Sequence, residues 1–226
     1  MDFEQWRSGN SQVLWLTGPP ECGIHQAPSH IVDLIRSEDS EKQPIVLYFF
    51  CSTASGAKSV AAAFIYALLR QVANYLSPLK RKSFITAFLS VLLDALISKD
   101  SNIDADFWRL KKDCSPELTI RKILDELSGN DHWHSIAIKQ LLQIGQAQGL
   151  TIIIDGLDEA RDQKTDFIKE ICSLIAYLKK QTYKFKVLLT SQPQTEIKVF
   201  LEDLPCIEYD VERKGSIIPQ IYSTSS

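Results

Sequence analysis

The 226-residue chain sets 25 Lys and Arg against 28 Asp and Glu, a formal net charge of -3, which gives no electrostatic footprint for nucleic acid or an anionic membrane. No apolar run approaches the roughly 20 residues of a membrane span, and the acidic, amphipathic opening Met1-Asp2-Phe3-Glu4-Gln5-Trp6 does not read as a signal peptide. The five cysteines, Cys22, Cys51, Cys114, Cys172 and Cys206, form no C-x-x-C pair and leave one unpaired, so the chain reads as a cytoplasmic protein with reduced thiols.

In chain order, the first predicted element is the strand Val13-Leu14-Trp15-Leu16. After it comes Thr17-Gly18-Pro19-Pro20-Glu21-Cys22-Gly23-Ile24-His25. Gly18 and Gly23 have the spacing of the phosphate-binding Walker A loop, G-x-x-x-x-G-K-[ST]. In that motif a lysine reaches the β and γ phosphates and a hydroxyl ligates magnesium. Here those two positions hold Ile24 and His25, and Glu21 adds a carboxylate to a loop that should surround an anion. Pro28 cannot donate to the carbonyl of Ile24, so the following helix is predicted to restart at Pro28-Ser29-His30, run to about Ser37 and withdraw its dipole from the loop.

The continuous run Ile45-Val46-Leu47-Tyr48-Phe49-Phe50 predicts a strand buried on both faces. Helices follow from Ser59 to about Leu76 and from Leu79 to Ile97, the latter with Phe84, Phe88, Val91, Leu92, Ala95 and Leu96 on one stripe. Ser115-Pro116-Glu117 reads as a helix start, and a further helix is predicted from Asp131 to Gln148. Strands are predicted at Leu150 to Ile154, Lys186 to Thr190 and Ile207 to Val211, with a helix from about Thr165 to Lys180. Strands separated by helical segments imply one mostly parallel five-stranded sheet covered on both faces. The expected domain runs over residues 1–211, with a loose tail over 212–226.

The second chemical motif is Thr151-Ile152-Ile153-Ile154-Asp155-Gly156-Leu157-Asp158-Glu159-Ala160. A buried strand ending in aspartate is the Walker B arrangement, in which Asp155 can hold magnesium through water. Asp158 or Glu159 could position an attacking water. Other features read blandly. Ser55-Gly56-Ala57-Lys58-Ser59 lacks both loop glycines and reads as a capped helix start. His132 and His134 lack ligand-spaced partners, and Lys80-Arg81-Lys82 and Lys111-Lys112 read as solvated helix faces.

Together, WLTGPPxCG, LYFFC, LLRQVANYL, IIIDGLDEA and KVLLTSQP resemble the NACHT-type domain of STAND-class P-loop ATPases, in particular the fungal, nephrocystin-like branch. Members of that branch typically read G-P-P-G-C-G-K-[ST] and L-[IL]-D-G-L-D-E. The resemblance spans roughly Trp6 to Val211. It implies a three-layer P-loop NTPase fold in which the Gly18 strand lies between the last strand and the Lys186 strand, with Asp155 one strand further on. It also implies an oligomerising, nucleotide-dependent signalling switch. A nucleotide would meet Gly18, Pro19, Pro20, Cys22, Gly23, Ile24 and His25, magnesium would meet Asp155, and Asp158 and Glu159 would be the catalytic acids. Where the family reads Ser-Arg-Pro, with an arginine at the γ-phosphate, this chain reads Ser191-Gln192-Pro193.

The loop and sensor departures favour a catalytically degenerate pseudo-NTPase, with ATP or GTP and magnesium bound weakly or not at all, acting through protein partners or self-association. An active hydrolysing switch, with a cation such as Lys58 replacing the missing lysine, and a truncated non-functional copy stay open. On the sequence alone, restoring Glu21→Gly, Ile24→Lys and His25→Thr is expected to return nucleotide binding before hydrolysis.

Overall fold

The computed structural model describes residues 2–9, 12–37, 44–54, 60–99, 119–120, 123–124, 149–180, 184–202, 204 and 206–215. The chain forms two compact units, one of Met1–Ser55 with Gly145–Ser226 and one of Gly56–Ile144. The first holds the sheet. Its strands are β1 (Val13–Thr17), β2 (Ile45–Phe50), β3 (Leu150–Asp155), β4 (Phe185–Ser191) and β5 (Cys206–Asp210). They are apolar and rich in β-branched residues through the middle of the sheet, as parallel strands covered on both faces must be. Burial follows: every residue of β1 and β3 is buried.

All four pairings are parallel and the order is β2-β3-β4-β1-β5. The strand leading to Gly18 thus lies between β4 and β5, with β3 one place beyond β4, as expected. Side chains alternate across the sheet. Val46, Ile153, Leu188, Leu14, Leu16 and Tyr209 fall on one face and join a core cluster with Phe3 and Trp6 of helix α1 (Asp2–Ser8) and Ile31, Leu34 and Ile35 of helix α2 (Ala27–Ser37). Phe49 lies on the other face, with its ring 5.9 Å from that of Phe167 in helix α5 (Lys164–Lys180). The Cys172 thiol of α5 in turn donates to the Phe200 carbonyl of helix α6 (Thr195–Leu201). Helices, sheet and helices form the three layers of an α/β fold.

Local sequence explains these helices. In α5 the buried positions Phe167, Ile168, Ile171, Leu174, Ile175 and Leu178 recur at helical spacing. Asp166 in the first turn and Lys179 and Lys180 in the last complement the helix dipole. The Asp210 side chain accepts hydrogen bonds from Glu212 and Arg213 N–H at 3.0 and 3.3 Å, capping the short helix α7 (Val211–Lys214). Residues 212–214, the first of the expected tail, are therefore helical, and residues 216–226 lie outside the described ones.

Among the described helices, α1, α6 and α7 were not anticipated from sequence. Helix α1 has only seven residues, too short for periodicity to be decisive. Its two aromatic residues are nevertheless fully buried, with Phe3 at 1% and Trp6 at 2% exposure. Lys186 of β4 donates its ammonium to the carbonyls of Trp6 and Gly9, the second at 2.7 Å. A cation thus satisfies carbonyls at the C-terminal end of α1, where the helix leaves acceptors unpaired. Burial lowers the Lys186 pKa below its ordinary value.

In the second unit, α3 (Val60–Tyr75) and α4 (Pro78–Lys99) match the two predicted helices within two residues at each end. Pro78 opens α4 at a position where a missing N–H costs nothing, and the Ser77 carbonyl accepts from Arg81 N–H at 2.8 Å. The Arg81 guanidinium donates to the Ala73 carbonyl at 2.7 Å, so this member of the basic run ties the start of α4 to the end of α3. The predicted elements around Ser115-Pro116-Glu117 and Asp131 to Gln148, the Ser55 to Ser59 segment, Lys111-Lys112, His132 and His134 lie outside the described residues.

Candidate functional site

The loop after β1 and the segment after β3 meet at the C-terminal edge of the sheet, the edge at which open parallel sheets place ligands. The loop is tight. Cys22 N–H donates to the Pro19 carbonyl at 3.3 Å and Gln26 N–H to the Gly23 carbonyl at 3.0 Å. A Cβ on Gly18 would lie 2.4 Å from the Cys22 sulfur, so the loop closes with the thiol against a bare α-carbon. Gly23 takes φ of 80°.

Glu21 is the one non-glycine among the described residues with positive φ, at 67°. The nephrocystin-like pattern carries glycine at this place, and this backbone state costs an ordinary residue about 1–2 kcal/mol. Glycine would remove that cost and add unfolded-state freedom of about 0.5–1 kcal/mol. Glu21→Gly is therefore expected to stabilise the chain by about 0.5–1 kcal/mol. Chemical denaturation reads this directly, and a neutral or destabilising result would mean the loop backbone is not held as described.

The helix after the loop differs from expectation. It is not withdrawn. Ile24–Gln26 form a 3₁₀ turn running directly into α2, and the Ile24 carbonyl accepts from Ala27 N–H. Pro28 has no N–H for that carbonyl, so the bond is made one residue earlier, in the i to i+3 pattern. The junction thus stays at Gly23, and the proline sits in the first turn of α2, where it is tolerated.

Ile24, at the position of the phosphate-reaching lysine, is 3% exposed and belongs to the core cluster with Leu16, Ala27, Tyr209 and Val211. His25, at the magnesium-hydroxyl position, is the exposed one, and its Nδ1 lies 3.3 Å from both Asp155 carboxylate oxygens. A carboxylate only accepts, so the imidazole donates from Nδ1. Asp155 ends β3, is 8% exposed, and also accepts from the Thr190 hydroxyl of β4. That hydroxyl oxygen accepts from Gly156 N–H at 2.9 Å.

Asp158 and Glu159 lie in the 3₁₀ segment Leu157–Gln163. Asp158 accepts from the backbone N–H of Gln192 at 3.0 Å, which joins the expected acid to the expected sensor position through the main chain of Gln192. Glu159 is exposed and packs beside Gly156. Cys51, just after β2, completes the edge. Its thiol pKa is driven well up, first by burial and then by the charges of Asp155, Glu159 and Asp158. Such a thiol stays protonated and is no nucleophile.

The structure thus brings Gly18, Cys22, Gly23, His25, Asp155, Asp158 and Gln192 to one edge and sends Ile24 into the core. Pro19 is half-buried and Pro20 exposed in the same loop. Sequence reasoning missed Thr190 and Cys51. The hydroxyl after the Val187-Leu188-Leu189 run was the available signal for Thr190, because a buried strand ending in Thr-Ser must find partners for its hydroxyls.

Magnesium does not suit this donor set. The residue at 25 offers a nitrogen donor in place of an oxygen ligand, and Asp155 is engaged by Thr190 and His25. Among the described residues, no group of three His, Cys, Asp or Glu side chains could hold a metal ion. Among them, too, no helix is long and apolar enough to cross a membrane.

The chain belongs to the nephrocystin 3 N-terminal family, whose model matches residues 1–88 and 75–192. These two stretches take in the loop after β1, both motif strands and Gln192. No curated protein sequence matches the chain.

Proposed function

We propose that this chain is a NACHT-like P-loop module of a signalling protein that has lost nucleotide hydrolysis and works through protein partners or self-association in the cytoplasm. The strand order supports the P-loop reading, since the glycine-spaced loop follows an interior strand flanked by β4 and β5. One observation carries the catalytic reading. The side chain at the magnesium-hydroxyl position contacts the Walker B carboxylate directly, while the side chain at the lysine position is core. Lysine and magnesium act on charge that develops in the transition state, so hydrolysis suffers more than binding.

Titration with ATP and GTP, each with and without magnesium, tests the reading. Affinity for the magnesium complexes is expected about 100-fold or more below that of an intact loop, from the lost charge-assisted hydrogen bonds. No phosphate release is expected. A magnesium-dependent dissociation constant in the low micromolar range, or steady turnover, would establish the alternative, a hydrolysing switch that uses Asp155, Asp158 and Glu159.

A further inference from the structure

We infer that His25 is a built-in latch that takes the place of the metal bridge between the loop and β3 and closes Asp155 to divalent cations. The inference rests on the P-loop reading and adds to it a regulatory contact. Three strands of geometry carry it. Asp155 is held from the β4 side by the Thr190 hydroxyl, itself held by Gly156 N–H, so the carboxylate cannot turn away. His25 reaches it from a different element, the 3₁₀ turn after Gly23, and its Nδ1 is equidistant from the two oxygens at 3.3 Å. A magnesium ion needs a carboxylate oxygen at about 2.0–2.1 Å and near-octahedral space around it, and the imidazole stands in front of both oxygens.

The two side chains differ sharply in exposure, 47% for His25 and 10% for Asp155. The imidazole is therefore a cover on a buried carboxylate, and it can be exchanged without opening the core. In a metal-dependent loop, the link from loop to Walker B strand forms only with magnesium and nucleotide. Here the side-chain contact makes the link with neither present, and His25 is a positioning residue for the loop.

The test uses the full chain, Mn²⁺ as the probe cation followed by its spin resonance, and thermal unfolding. Wild type is expected to show no saturable Mn²⁺ binding up to about 1 mM, and a midpoint unmoved by Mn²⁺ or a chelator. His25→Ser is expected to bind Mn²⁺ at least about 10-fold more tightly than wild type. Its midpoint falls by about 2–4 °C, and Mn²⁺ restores it. His25→Gln, which keeps an N–H donor, is expected to hold the wild-type midpoint and exclude Mn²⁺. Adding Asp155→Asn to His25→Ser abolishes the gained binding.

Saturable Mn²⁺ binding by wild type, or a His25→Ser chain with the wild-type midpoint and no gain in Mn²⁺ affinity, would overturn the latch. Tight magnesium-nucleotide binding by wild type would instead overturn the pseudo-NTPase reading. The two failures are separable, because the Mn²⁺ experiment contains no nucleotide.

Discussion

Ile24→Lys is expected to lower stability by about 2–4 kcal/mol, although the same change restores the residue that a phosphate loop calls for. The position is 3% exposed and lies among Leu16, Ala27, Tyr209 and Val211. Removing the isoleucine forfeits about 1.5–3 kcal/mol of burial. A lysine in its place must either bury its ammonium or bend its stem towards the loop, and both are costly. Equilibrium denaturation of the two proteins measures the difference. A loss below about 1 kcal/mol would mean the side chain at 24 turns into the loop after all, and the core description would be wrong. The sequence-based rescue through Glu21→Gly, Ile24→Lys and His25→Thr therefore sets a gain of ligand contacts against a loss of packing. Its outcome depends on the partner changes. Glu21→Gly contributes back about 0.5–1 kcal/mol, less than the lysine costs.

Trp6→Ala has the larger expected effect, about 3–5 kcal/mol. The indole is 2% exposed, packs at 5.7 Å against the Phe3 ring, and donates from Nε1 to the Gln12 carbonyl at 3.4 Å. Truncation leaves a cavity in the layer above β1 and β4 and an acceptor without its donor. It also removes the side chain that holds α1 while Lys186 holds its carbonyls. Urea unfolding would read the change. A loss under 1 kcal/mol would show that α1 is not part of the core.

The five strands and the helices α2, α3, α4 and α5 were legible because each is long or strongly patterned. β3 is an unbroken buried run, and α5 repeats its apolar residues at helical spacing. Register and neighbour order are a different matter. That β1 lies between β4 and β5 is a long-range fact, which the sequence supplied only through a family resemblance, and the register that sets Trp15 beside Leu189 and Glu208 comes from the structure alone. Short elements escaped: seven residues of α1 hold two apolar anchors, too few to set a period.

At the candidate site, the motif glycines and the aspartate after β3 were readable as spacing. What the replaced residues do was not. Ile24 and His25 occupy adjacent positions, yet one is core and the other reaches a carboxylate. That division is set by the 3₁₀ turn; Pro28 signalled that the Ile24 carbonyl would lack its usual donor, but not that Ala27 would supply one in its place. Glu21 was read as a charge that repels phosphate, and its larger local consequence is a left-handed backbone on a residue with a Cβ.

The strand order also governs how the chain can assemble in time. β1 is made among the first residues of this sequence, but its two sheet neighbours are β4 and β5, which begin at Phe185 and Cys206. No hairpin can satisfy it meanwhile, because every pairing in the sheet is parallel and spans a crossover. During synthesis the buried run Val13–Thr17 therefore waits with both edges unpaired for some 170 residues, the condition under which strands find wrong partners. Only a chain that has passed Asp210 holds both of the strands that close the sheet around β1.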